Sequence, residues 1–179
     1  TQSKGNFPEI GDKNRSQMIS RRGIESNTEV LKKVEEIQEK IEAGFRCLKL
    51  KIGALDFESE LRLLRKLRER FGPEDLEIRV DANGAFSAPE ALEKLRALSA
   101  LGLHSIEQPI RAGQPGEMAR LCSCTPLPIA LDEELIGCYY PEQKASLLEQ
   151  IRPQYIILKP SLVGGVRGST EWIEAAEAL

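Results

Sequence analysis

Five short apolar runs in this chain each end on a charged residue, and the endings recur at a nearly constant interval. They are Lys51, Asp81, Glu107, Asp132 and Lys159, separated by 30, 26, 25 and 27 positions. An interval of that size matches one β-strand, one α-helix and their two connections. Amphipathic helical patterns fill the gaps between the runs. Strands that alternate with helices in this way form a parallel sheet, either an open doubly wound sheet or a (β/α)8 barrel. Strand order separates the two, and hydrophobic periodicity carries no information about it.

The first run, Cys47-Leu-Lys-Leu-Lys-Ile-Gly53, alternates apolar and basic residues with a period of two. In a strand this sends Lys49 and Lys51 to one face and Leu48, Leu50 and Ile52 to the other. Strands of parallel sheets are covered on both faces, so two lysines on a covered face need anionic partners.

Around it the punctuation is consistent. Ser26 and Glu29 have capping-box spacing ahead of a stripe of Val30, Val34, Ile37 and Ile41, which Gly44 ends. Asp56 caps a helix with Phe57, Leu61, Leu64, Leu67 and Phe71 on one face. A strand over 76–80 reaches Asp81, and Asn83-Gly84 turns the chain. Ser87 and Glu90 open the next helix. The strand over 103–106 reaches Glu107, and Pro109 blocks its extension. A short helix is expected over 115–122, a strand over 128–131, a helix from Pro141 to about 150, a strand over 155–158 and a last helix after Gly164-Gly165. Residues 1–25 read as an irregular lead-in, with a strand near 18–24 weakened by Arg21-Arg22-Gly23. Residues 26–179 read as the catalytic domain.

Bulk properties exclude several functions. The 179 residues carry 25 Lys and Arg against 28 Asp and Glu, well mixed, with no basic stripe to serve nucleic acid. No apolar run has the length of a membrane span, and no apolar signal core is seen, so a cytoplasmic protein is expected. The four cysteines do not suggest a disulfide framework. Cys122-Ser-Cys124 lacks the second pair that a zinc site requires.

Parallel strands place their C-terminal ends on one rim, where active sites form. Asp81, Glu107 and Asp132 would then gather there, and three carboxylates repel one another unless protonated or bound to a cation. All-oxygen ligation suits a hard ion, Mg²⁺ before Mn²⁺ or Ca²⁺. Lys51 and Lys159 would flank it, and a divalent charge beside a lysine lowers its pKa toward proton transfer. The chemistry this suggests is metal-assisted removal of a proton next to a carboxylate. Glu133 and Glu134 stand as alternative ligands, and Asn83 is most simply a turn residue. His104, the single histidine, falls at the opposite end of its strand from Glu107 and reads as structural. Gly164-Gly165 is either an anion-binding helix start or a tight turn.

Lys49-Leu-Lys51, Val80-Asp-Ala-Asn-Gly84, Ile106-Glu-Gln-Pro109, Leu131-Asp-Glu133 and Leu158-Lys-Pro160 resemble, in order, the motifs of the enolase superfamily in its muconate-lactonizing subgroup. The longer stretches over 52–57 and 159–165 resemble the menaquinone-pathway lyases of that subgroup. The resemblance covers roughly residues 27–179. It implies a (β/α)7β barrel with an α+β capping domain, Mg²⁺ held by Asp81, Glu107 and Asp132, and Lys51 as acid and base. Lys159 would stabilise the anion from the opposite side, Lys49 and Asn83 would support the site, and Glu133 would stand behind the ligands. The implied reaction is dehydration of a small cyclohexadiene carboxylate through an enediolate. A racemase, epimerase or cycloisomerase would use the same lysine pair, and a non-catalytic α/β domain is the alternative of a different class. Against the family pattern the chain reads as a partial barrel, with the capping domain and last strands missing and the usual first strand not recognisable. Such a piece is expected to be inactive alone.

Overall fold

The computed structural model describes residues 16–19 and 27–179, with side chains from residue 32 onward. The elements are β1 (Ser16–Ile19), α1 (Asn27–Glu42), β2 (Cys47–Lys51), α2 (Phe57–Arg70), β3 (Glu77–Asp81), α3 (Ala88–Ser99) and β4 (Ser105–Glu107). They continue with α4 (Pro115–Cys124), β5 (Ile129–Leu131), a 3-10 turn at Glu133–Leu135, α5 (Pro141–Ile151), β6 (Tyr155–Ile156) and α6 (Gly165–Glu177). The six described strands are parallel throughout and pair in sequence order, β1-β2-β3-β4-β5-β6. A doubly wound sheet reverses its strand order part-way, so this order excludes it. The sheet is an arc of a (β/α) barrel.

Local chemistry explains most boundaries. Asp56 accepts the Ser59 N–H at 2.9 Å at the start of α2, and the Glu90 carboxylate accepts the Ser87 N–H at 3.1 Å at the start of α3. Gly44 sits at φ +95° just past α1. The Ser26 cap lies outside the described residues. The outward faces of the strands, Leu48, Leu50, Ile78, Val80, Ile106, Ile129 and Leu131, are buried under the stripes of α2 to α4, including Leu61, Leu64, Leu67, Leu95, Leu98 and Leu121. Burial of this extent is the main favourable term in folding.

The sequence expectation differs from the structure at the N-terminal side. Residues 1–25 were expected to be irregular, yet Ser16–Ile19 forms β1, paired with β2 in the register Ser16↔Cys47 to Ile19↔Leu50. Residues 20–26, where much of the weak strand signal fell, are outside the described set. The four residues of β1 carry little pattern of their own, and the ladder edge of β2 gives their backbone groups partners.

Candidate active site

Register is what assembles the charged residues. Lys51 pairs with Asp81, and Asp81 with Glu107, in one row across β2, β3 and β4. Lys49 lies one inward-facing position below Lys51. Asp132 follows β5 directly, and Lys159 is the third residue past β6.

The side chains interleave by sign. Lys49 Nζ bonds Glu107 Oε2 and lies 3.1 Å from Asp81 Oδ2. Lys51 bonds Asp81 and donates to Asn83 Oδ1 at 2.7 Å. Lys159 bonds Asp132 and stands 3.8 Å from Glu107 Oε1. A lysine ammonium therefore lies between Asp81 and Glu107, and another between Glu107 and Asp132. Asp81, Glu107 and Asp132 are 0%, 3% and 2% exposed, so these are charges in a poorly hydrated row.

The electrostatics follow. Burial pushes the Glu107 carboxyl up to about 7; the bond from Lys49 opposes this, while the Asp81 charge and the Asp132 carboxylate add to it. For Asp81 burial acts upward too, but Lys51 and Lys49 outweigh it and hold the group below the usual carboxylate range. The sequence argument expected a lysine beside a divalent cation to be pushed down. Against the carboxylates alone the opposite holds for Lys159: burial lowers it, and Asp132, Glu107 and Glu133 outweigh that and raise it.

Asn83 links the charged row to Glu133. Asn83 accepts from Lys51, donates to Glu133 Oε1 at 2.8 Å, and its N–H reaches Asp81 Oδ1 at 3.0 Å. It is more than a turn residue, although it does turn the chain, at φ +46°. A non-glycine residue in that region costs roughly 1–3 kcal/mol and persists when its surroundings hold it. Glu134, left open as a ligand, instead accepts from Gln108 Nε2 and from the Gly113 N–H. His104 stacks on Tyr155 with ring centroids 5.0 Å apart, just before β4 and away from the charged row, in agreement with a structural role. Gly164 and Gly165 adopt φ +94° and +72°, and the Gly165 N–H is bonded to the Pro160 carbonyl, which makes a tight turn of that pair. Cys122 is buried and Cys124 is exposed, so the two thiols of α4 do not share an environment.

Two residues of this region escaped the sequence reading. Glu60, 6% exposed on α2, accepts the backbone N–H groups of Gly53, Ala54 and Leu55 through Oε1 at 2.7–3.2 Å, fixing the loop that follows Lys51. Its only sequence signal is an acid beside the apolar stripe, one position before Leu61. Gln108 is fully buried at φ +39°. Its signal was a polar residue wedged between a strand-end acid and a proline.

Among the described residues no three His, Cys, Asp or Glu side chains meet in a ready-made metal cage. The donor set nevertheless fits a hard cation. It is all carboxylate, and two buried oxygens, Glu107 Oε1 within the set and Glu133 Oε2 behind it, have no hydrogen-bond partner. Burial raises the carboxyl of one of these acids, Glu107, a shift that a bound cation would oppose.

A family model described as enolase C-terminal domain-like matches residues 32–179. The chain belongs to the enolase C-terminal domain-like family. Within that family it is 59% identical over 142 residues to o-succinylbenzoate synthase of Desulfotalea psychrophila, covering 79% of this chain and 38% of that protein. The crystal structure of MenC from Desulfotalea psychrophila superposes with a TM-score of 0.82 at 50% identity, over 92% of this chain and 43% of that one. Muconate lactonizing enzyme from Pseudomonas putida superposes with a TM-score of 0.79 at 26% identity, over 92% and 44%. An L-Ala-D/L-Glu epimerase of Bacillus subtilis is 27% identical over 140 residues, 77% of this chain and 37% of the other. This enolase-type chain spans about two fifths of the length of the curated relatives it matches. Among the described residues no helix is long and apolar enough to cross a membrane.

Proposed function

We propose that the protein carrying this chain is a Mg²⁺-dependent lyase that dehydrates a cyclohexadiene carboxylate to o-succinylbenzoate, a reaction of menaquinone biosynthesis. The observation that carries the reading is the alternating row of Lys49, Lys51 and Lys159 with Asp81, Glu107 and Asp132 on one strand-end rim. The 59% identity to an o-succinylbenzoate synthase, against 27% to an epimerase, favours the lyase over the racemases and epimerases that would share the lysine pair.

In this reading Asp81, Glu107 and Asp132 hold the divalent cation, Mg²⁺ with Mn²⁺ as a substitute. When bound it supplies the positive charge that makes a substrate enediolate accessible. Lys51 takes the proton from the carbon next to the substrate carboxylate, and the C–H electrons pass into the enediolate. The same ammonium then gives that proton to the departing hydroxide as the C–O bond breaks, releasing water. Lys159, on the far side of the row from Lys51, stabilises the developing anion electrostatically. Asn83 holds the Lys51 amine in place, with Glu133 behind it. Such a soluble small-molecule enzyme belongs in the cytoplasm and needs neither nucleic acid nor a membrane.

The test uses the full-length protein. Product formation should stop when EDTA removes Mg²⁺ and return when it is restored. Glu107→Gln should weaken Mg²⁺ binding by about 10-fold or more, since it removes one anionic ligand. A Glu107→Gln protein that binds Mg²⁺ like the wild type would favour the non-catalytic reading instead.

A further inference from the structure

Every polar atom of Gln108 is engaged, and its partners lie on β5 and in the segments that follow β3, β4 and β5. The backbone N–H bonds the Ala130 carbonyl of β5 at 2.9 Å, and its own carbonyl accepts the Gly84 N–H, three residues past Asp81, at 2.7 Å. The side-chain Oε1 accepts the N–H groups of Asp132 and Glu134, each at 3.2 Å. Nε2 donates to the Ile110 carbonyl at 3.0 Å and to Glu134 Oε2 at 3.2 Å. Gln108 itself follows Glu107 directly and is 0% exposed.

We infer that Gln108 is a positioning residue that sets the spacing of Asp81, Glu107 and Asp132 by tying together the ends of β3, β4 and β5, and so tunes the affinity of the rim for a divalent cation. The inference rests on the proposed cation site, but its structural half does not. A primary amide is the side chain suited to this post. Only an amide accepts two N–H groups with one atom and donates to a carboxylate and a carbonyl with the other. The left-handed backbone at φ +39° turns the chain so that the residue after Glu107 reaches sideways to β5 rather than following the strand alternation. Glu134 completes the brace, since its second oxygen accepts the Gly113 N–H at 3.1 Å and anchors the loop before α4.

Three variants of the full-length protein test this. Gln108→Met keeps the bulk and removes all four side-chain bonds. Gln108→Glu keeps the acceptor but faces the Glu134 carboxylate with a second one. Gln108→Glu combined with Glu134→Gln exchanges the amide and the acid, restoring a donor between the two side chains at unchanged net charge. Removing a group that orients a metal ligand typically costs 10–100-fold in affinity. Mg²⁺ titration calorimetry should give losses in that range for both single variants and a partial recovery, to above either Gln108 single variant, for the exchange, which still leaves the Ile110 carbonyl without its donor. Amide hydrogen exchange without added metal should show Asp132 and Glu134 deprotected in Gln108→Met and protected again in the exchange. Wild-type Mg²⁺ affinity in Gln108→Met, or unchanged protection of the two amides, overturns the inference. Failure of the wild type to bind Mg²⁺ refutes the cation site and with it the tuning of affinity, while amide exchange still decides whether Gln108 positions the strand ends.

Discussion

Lys51 has two restraints, Asp81 on its own row and the Asn83 amide, which itself is held by Glu133. On its proposed role as proton carrier, a lysine fixed in this way should matter to the chemical step far more than to binding. Lys51→Ala in the full-length protein is expected to lower kcat by about 10²–10⁴-fold while Mg²⁺ still binds. Steady-state kinetics beside calorimetry separate the two, and undiminished turnover would remove the assigned role. Glu60 offers a pH test away from the acids of the rim. Burial raises its pKa above the ordinary 4.5, with the Leu55, Gly53 and Ala54 N–H groups opposing the rise. The native state then binds more protons than the unfolded state between 4.5 and the raised value, so ∂ΔG/∂pH is negative there. This group's contribution to stability is present below pH 4.5 and is lost as pH rises through that window. Glu60→Gln keeps an acceptor for the loop and should flatten this part of a Tm-against-pH curve; an unchanged slope would contradict the assignment.

At the scale of elements, two glycines allow approaches that no other residue permits. Gly53, at φ +86° after β2, has no room for a Cβ, which would overlap the Ala85 side chain of the loop bearing Asn83. Gly168 of α6 lies against the Val163 carbonyl in the same way. It also receives on its carbonyl the Nζ of Lys144, a lysine of α5 that is 1% exposed, at 3.0 Å; the same ammonium is 5.6 Å from the Trp172 ring. The packing of α6 on the segment before it depends on this close fit, and the Lys144 bond ties that corner to α5. Gly168→Ala should destabilise the protein by about 1–3 kcal/mol, read as a lower urea midpoint at unchanged m-value. A neutral effect would mean that the helix shifts to accommodate the methyl group at no cost.

For the whole molecule the governing feature is that the described sheet has two ends. Among the described residues β1 pairs with β2 and β6 with β5, and no second partner of either strand is described. Exposed parallel edges template association with other chains. Residues 1–179 purified alone are expected to show no dehydration activity and to self-associate as concentration rises, measured by light scattering on a sizing column. A monodisperse monomer that turns over substrate would refute both expectations.

Contiguous residues settled much of this protein before any coordinates. The period-two run at Lys49 and Lys51, the caps at Asp56 and Ser87, and the charged endings at Asp81, Glu107 and Asp132 are properties of neighbours in sequence, and the helices and strands follow from them within a few residues. Strand order, by contrast, left two architectures open until the parallel ladders placed β1 to β6 consecutively. Register put Lys51, Asp81 and Glu107 in one row and set Lys49 and Lys159 between the acids. It also gave four patternless residues a place as β1 and made Gln108 a junction of the segments that follow three strands. Periodicity is written into adjacent side chains, whereas partners some 25 to 30 residues apart are chosen only when the backbone hydrogen bonds of neighbouring strands close.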